Sequence, residues 1–166
     1  MSLSLADLNQ SSQDAFVAAL DGIFEHTPAI AQNTWHQRPF ASLDALHQGM
    51  VAVVQAAGSD FQLALVRAHP DLGSKAKMAD ASVQEQAGAG LDQLTSAEFA
   101  QFQALNQTYN AQFGFPFLIA VRQHTKHSIL AAFQHRLQNT PDVEQQQALT
   151  EIFQIARLRL GDRITP

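Results

Sequence analysis

The sequence predicts an all-α fold, a compact single-domain bundle of about eight helices over residues 1–166. Three observations predict it. Apolar residues recur three and four apart along most of the chain. The periodic segments start at Ser or Thr and stop at Gly or Pro. No segment alternates apolar and polar residues in the manner of a strand. A length of 166 residues with 46% apolar content suits one domain. Such a chain buries about 70% of its unfolded surface.

The first helix carries Phe16, Leu20, Ile23 and Phe24 on one face, with Ser11 or Ser12 as its cap and Pro28 beyond its end. A short segment around Trp35 leads to Pro39, and Ser42 opens a helix bearing Leu43, Leu46, Met50, Val53, Val54 and Ala57, with Gly58 after it. Ser59 and Gln62 read as a capping box for a helix that must stop near Ala68, because Pro70 disfavours α geometry at His69. Asp71 to Ala81 reads as a polar loop, including Lys75 and Lys77. Ser82 and Glu85 read as a second capping box, with Gly88 and Gly90 ending the helix. Thr95 and Glu98 read as a third, opening a helix with Phe99, Phe102, Leu105, Tyr109 and Phe113 that Gly114 closes. Phe115 to Val121 is an apolar run without helical period, within which Phe117 to Val121 reads as a short strand or an extended strap. Thr125 begins a helix with Ile129, Leu130, Phe133 and Leu137, and Thr140-Pro141 reads as N-cap and first residue of the last helix, with Gly161 after it.

Composition narrows the function. Charged residues are only 15% and the net charge is −5, which argues against nucleic-acid binding and against docking on anionic lipid. With no cysteine there is no disulfide, thiolate nucleophile or sulfur-ligated zinc. Met1 to Gln10 carries no secretory pattern, and the apolar run Phe115–Val121 is too short to span a bilayer. The expectation is a soluble, cytoplasmic protein.

Four places can carry chemistry. His69 sits at a helix end, before a proline that holds its backbone extended, and a histidine titrates near neutrality; the alternative is a helix-terminal histidine that complements the dipole. Ser82 and Glu85 are explained by capping, yet a Glu at a helix start can also hold a ligand N–H or hydroxyl. The run Phe115 to Arg122 is either a buried strap or a row of backbone donors and acceptors that clamps a small polar ring. Arg157 and Arg159, two apart on a helix, diverge, so at most one faces a given pocket, where its fork suits a carboxylate. His124 and His127 have the spacing of metal ligands, but no supporting carboxylates lie nearby in sequence, and no metal site is expected. Phosphate-loop and dinucleotide fingerprints are absent.

Taken together, Arg67-Ala68-His69-Pro70-Asp71-Leu72-Gly73, Ser82-Val83-Gln84-Glu85-Gln86, Phe113-Gly114-Phe115-Pro116-Phe117 and Ile155-Ala156-Arg157-Leu158-Arg159-Leu160 resemble the 2-oxo-4-hydroxy-4-carboxy-5-ureidoimidazoline (OHCU) decarboxylase family over nearly the whole chain. The resemblance implies an all-α bundle, usually a homodimer, performing the last step from urate to (S)-allantoin. It implies His69 as the catalytic histidine, assisted by Glu85, with Pro70, Ser82 and Gln86 around the ring and ureido group. It implies a backbone clamp of Phe117, Leu118, Ile119, Ala120 and Val121 ending at Arg122, and Arg159 as the anchor for substrate. No cofactor or metal is implied, because the substrate's carboxylate lies beside a C=N bond that accepts the electrons CO2 leaves behind. The segment between Gly73 and Ser82 looks shorter than in animal members. Two rivals stand beside it: a non-catalytic helical module using the same pocket to bind a small anionic or ureido ligand, and a metal hydrolase built on His124 and His127.

Overall fold

A computed structural model describes residues 3–73 and 80–166. In chain order the described elements are β1 (Leu3–Ser4), α1 (Leu5–Gln10), α2 (Gln13–Ala19), α3 (Ala29–Thr34), α4 (Leu43–Ala56), α5 (Ser59–Arg67), α6 (Asp80–Gly88), α7 (Ser96–Phe113), α8 (Lys126–Arg136), α9 (Pro141–Arg163) and β2 (Ile164–Thr165). Short 3-10 turns lie at Trp35–Gln37 and Val121–Gln123. The fold is therefore mostly helical, as predicted, and no single helix among the described residues is long and apolar enough to cross a membrane. By internal contacts the chain divides into two compact units, Met1–Leu65 with Phe153–Pro166, and Val66–Ile152.

In the first unit, β1 pairs with β2 in parallel, Leu3 opposite Ile164. Two residues per strand are too few to show alternation, so this pair is invisible in the sequence. The helix α1 was not predicted; Ser4 caps it, accepting from the Asp7 amide while Asp7 receives the Ser4 amide. Ser12 caps α2 as expected, but α2 ends at Ala19. Gly22, at φ 78°, takes a left-handed turn that no helix can follow, so Ile23 and Phe24 enter the core from a loop. The buried set Leu8, Phe16, Ile23, Ile30, Leu46 and Met50 forms the centre of this unit, and α3 packs against both α2 and α4. Asn9 brackets Phe40, giving its amide to the Phe40 carbonyl at 2.9 Å and accepting the Phe40 amide at 2.8 Å.

Two predicted caps are corrected. Ser59 lies inside α5 as its first residue, and the Gln62 side chain donates back to the Val54 and Gln55 carbonyls at the end of α4, satisfying that helix terminus. Gly161 does not end α9. It stays helical, and the helix runs to Arg163, whose guanidinium donates to the Ala19 and Asp21 carbonyls.

The second unit has an aromatic centre. Tyr109 meets Phe113, Phe115, Phe117 and Phe133, and the Phe117 and Phe133 rings stack at 3.7 Å. The Thr95–Glu98 box forms, and Lys126 Nζ reaches the Glu98 carboxylate at 2.9 Å. Thr140 caps α9 through the Val143 amide. The Lys126 bond first, then the Thr95 amide, hold the Glu98 carboxyl at about 2, below its ordinary 4.5. A lowered carboxyl contributes stability above the unfolded value and loses it as pH falls towards the folded one. Glu98→Gln should therefore narrow its stability gap to wild type between about pH 4.5 and 2 in thermal unfolding. A gap unchanged across that window would show the pairing to be irrelevant.

Candidate active site

His69 follows α5, and its amide closes the last turn on the Val66 carbonyl at 3.2 Å. Pro70 prevents a further turn, and the His69 residue is buried, 7% exposed. The next three residues are each held by a different side chain. Asn110 donates to the Asp71 carboxylate at 3.0 Å, Asn106 to the Leu72 carbonyl at 2.9 Å, and the Gly73 amide donates to Gln86 Oε1 at 3.0 Å. Bonds of this kind are each worth about 0.5–1.5 kcal/mol net, and together they fix the backbone on the far side of His69. The predicted polar loop thus begins as a pinned turn; Lys75 and Lys77 lie outside the described residues.

The helix α6 overturns the second predicted cap. It already includes Asp80 and Ala81, so Ser82 is interior to it and cannot be the N-cap. Without that role, Ser82 and Gln86 stand four residues apart on one buried face, with Glu85 half-buried beside them and Val83 exposed. The helix packs against the Val121–Gln123 turn, where Arg122 is exposed.

Phe115 to Ala120 belongs to no helix or strand and is buried throughout. Of the two readings it is a buried strap, not a strand. The helix α7 delivers the chain into it through Gly114 at φ 77°, a conformation that favours glycine. Arg67 Nε donates to the Gly114 carbonyl at 3.0 Å, tying the residues before His69 to the start of the strap. Inside the strap, the Leu118 carbonyl accepts from Arg136 Nη1 at 2.5 Å and the Ala120 amide donates to Glu151 Oε2 at 3.0 Å. These two groups are engaged by the protein, which removes the Ala120 N–H from the expected row of ligand donors. The Phe117 and Ile119 amides donate to no other described residue.

Arg136 is held in turn. Its Nε donates to Glu144 Oε1 at 2.7 Å, its guanidinium lies 4.3 Å from the Phe117 ring, and Glu144 also accepts from the Tyr109 hydroxyl at 2.5 Å and from Asn139 at 3.0 Å. Burial first, then the Glu144 bond, push the Tyr109 phenol well above its ordinary range, so it remains a donor.

Three of the four sequence segments thus meet within one unit: Arg67–Gly114 joins the first to the third, Gly73–Gln86 joins the first to the second, and α6 packs at the strap's end. The fourth belongs to the other unit. There Arg159 is buried, donating to the Gly22 carbonyl at 2.9 Å and pairing with the buried Glu25 at 3.2 Å. Arg157 instead pairs with the exposed Asp44 at 2.7 Å. The two arginines diverge as their spacing requires. His124 Nδ1 lies 3.0 Å from Ser128 Oγ at the start of α8, and among the described residues no three His, Asp or Glu are grouped to hold a metal ion.

Sequence reasoning missed Asn106, Asn110, Arg136, Glu144 and Glu151. One signal was available: Asn106 and Asn110 lie four apart, in the register of the apolar residues Phe102 and Tyr109.

The profile of the OHCU decarboxylase family matches residues 9–161. The chain belongs to that family. It is 44% identical over 164 residues to a 2-oxo-4-hydroxy-4-carboxy-5-ureidoimidazoline decarboxylase of Halalkalicoccus jeotgali, covering 99% of this chain and 93% of that protein. It is 45% identical over 162 residues to the uric acid degradation bifunctional protein PucL of Bacillus subtilis, covering 98% of this chain and 33% of that one. Among solved structures it resembles an (S)-allantoin synthase, with a TM-score of 0.80 and 32% identity, covering 98% of this chain and about half (54%) of the other. A structure of OHCU decarboxylase in the presence of (S)-allantoin shares the fold, with a TM-score of 0.69 at 19% identity over 92% of this chain and 97% of that one.

Proposed function

We propose that the chain, acting as one catalytic domain, decarboxylates 2-oxo-4-hydroxy-4-carboxy-5-ureidoimidazoline to (S)-allantoin and CO2 without a cofactor. The observation that carries this reading is the joining of His69, α6 and the strap within one unit of a chain that belongs to the family. The substrate's carboxylate leaves as CO2, and the electron pair of the broken C–C bond enters the adjacent C=N system. His69, with Glu85, manages the hydroxyl proton and the proton that reaches carbon on one face. Ser82 and Gln86, the Phe117 to Val121 strap with Arg122, and Pro70 position the ring, which supplies orientation rather than new chemistry. Arg159 anchors the substrate by charge. The enzyme acts as a homodimer in the cytoplasm.

The test follows the absorbance of freshly generated substrate with and without protein that has been treated with chelator. Decay accelerated well beyond the spontaneous rate, and unaffected by the chelator, is expected. Binding without acceleration would leave only a ligand-binding module, and loss on chelation would favour a metal hydrolase. Within the same assay, Arg159→Ala should raise KM by about tenfold or more, the scale of one charge-assisted hydrogen bond. Arg157→Ala, breaking an exposed pair worth about 0–1 kcal/mol, should leave KM nearly unchanged. Equal effects would mean that the wrong arginine has been chosen.

A further inference from the structure

We infer that Glu151, with Arg136, is a positioning residue that orients the strap for substrate, an inference that rests on the decarboxylase reading above. In extended chain, backbone groups two residues apart face the same edge and intervening ones face the opposite edge. Arg136 takes the Leu118 carbonyl and Glu151 takes the Ala120 amide, so positions 118 and 120 are engaged by protein on one edge. The Phe117 and Ile119 amides, buried and donating to no other described residue, belong to the other edge. A buried amide without a partner is costly, and a ligand rich in carbonyls satisfies it.

Both struts are braced. Glu151 Oε1 accepts from Gln147 at 3.0 Å, one turn earlier on α9, leaving Oε2 for Ala120. Glu144 braces Arg136. Neither strut needs to touch substrate. Each fixes the rotation of the strap about its own axis, and that rotation decides where the Phe117 and Ile119 amides aim. A ring held by amides aimed this way exposes one face to the incoming proton, so the struts bear on stereochemistry as well as affinity.

Two substitutions separate this role from simple stabilisation. Glu151→Gln keeps an oxygen that can accept the Ala120 amide, whereas Glu151→Leu keeps the bulk and removes the acceptor. Glu151→Leu should raise KM about tenfold, the scale of a lost buried hydrogen bond. It should also lower the enantiomeric excess of allantoin, measured by circular dichroism at enzyme concentrations that outrun spontaneous decay. Glu151→Gln should restore both to within about twofold of wild type. Partial unfolding lowers apparent kcat and leaves KM and enantiomeric excess alone, so it cannot imitate this pattern. Wild-type KM and enantiomeric excess in Glu151→Leu, or equal damage in both variants, would overturn the inference. If Glu151→Leu does not fold, Gln147→Leu carries the test: by releasing Oε1 it should raise KM by a smaller factor, and an unchanged KM would overturn the inference. Inactive wild-type protein would instead defeat the decarboxylase reading itself.

Discussion

Replacing His69 with Asn should lower kcat/KM by about 10²–10⁴-fold, the usual contribution of a positioned proton-transfer group. Asn keeps a planar polar side chain but has no titration near neutrality, so it cannot pass a proton in either direction. The backbone around the site should not move. The Val66 carbonyl closes the turn before residue 69, Pro70 fixes the exit, and Asp71, Leu72 and Gly73 are tied to Asn110, Asn106 and Gln86 by bonds that do not involve the His69 side chain. The far-UV spectrum and unfolding midpoint should therefore stay close to those of wild type while the accelerated decay of substrate falls towards the spontaneous rate. Near-wild-type acceleration in His69→Asn would show that another group moves the proton, and Glu85 would be the first to examine.

Glu144→Ala should cost about 3–5 kcal/mol, the penalty of removing one partner from a buried ion pair. Glu144 is fully buried, and the Arg136 side chain it serves is 6% exposed. That guanidinium already has one nitrogen, Nη2, without a hydrogen-bond partner among the described residues. Deleting the carboxylate leaves a buried cation with, among the described residues, the Leu118 carbonyl and the Phe117 ring, and strands the Tyr109 hydroxyl and the Asn139 amide as well. Against a total stability of about 5–15 kcal/mol, that loss is a large share. Urea denaturation measures it directly. Tyr109→Phe, which removes one donor and keeps the ring in its cluster, should cost only about 1–2 kcal/mol. A loss below 1 kcal/mol for Glu144→Ala would mean that water or a neighbouring group replaces the carboxylate.

Much of this was legible in the residues, and the rest was hidden for physical reasons. Local signals carried far: Thr95 with Glu98, Thr125, Thr140-Pro141 and Gly114 act at the helix ends where they were expected to. Capping boxes failed where the residues that match the pattern take another role in the fold. Ser82-x-x-Glu85 has the form of a capping box, but Asp80 lies two residues upstream inside the same helix, which makes Ser82 part of a buried face. The same error at Ser59 came from a Gln62 whose side chain serves the preceding helix. The strap's burial was readable from its run of apolar residues, but its partners were not. Arg136 and Glu144, eight residues apart across a helix junction, read as ordinary polar helix residues, and Glu151 has no sequence neighbour that points to Ala120 thirty-one residues away. Such long-range polar pairs exist only once the chain has folded.

The most direct test of the central claim is the circular dichroism of allantoin formed when freshly generated substrate meets this protein. Stereospecific decarboxylation predicts a strong signal of the (S)-enantiomer that persists after all substrate is consumed. A racemic product, or a signal that appears and decays with the substrate, would contradict it.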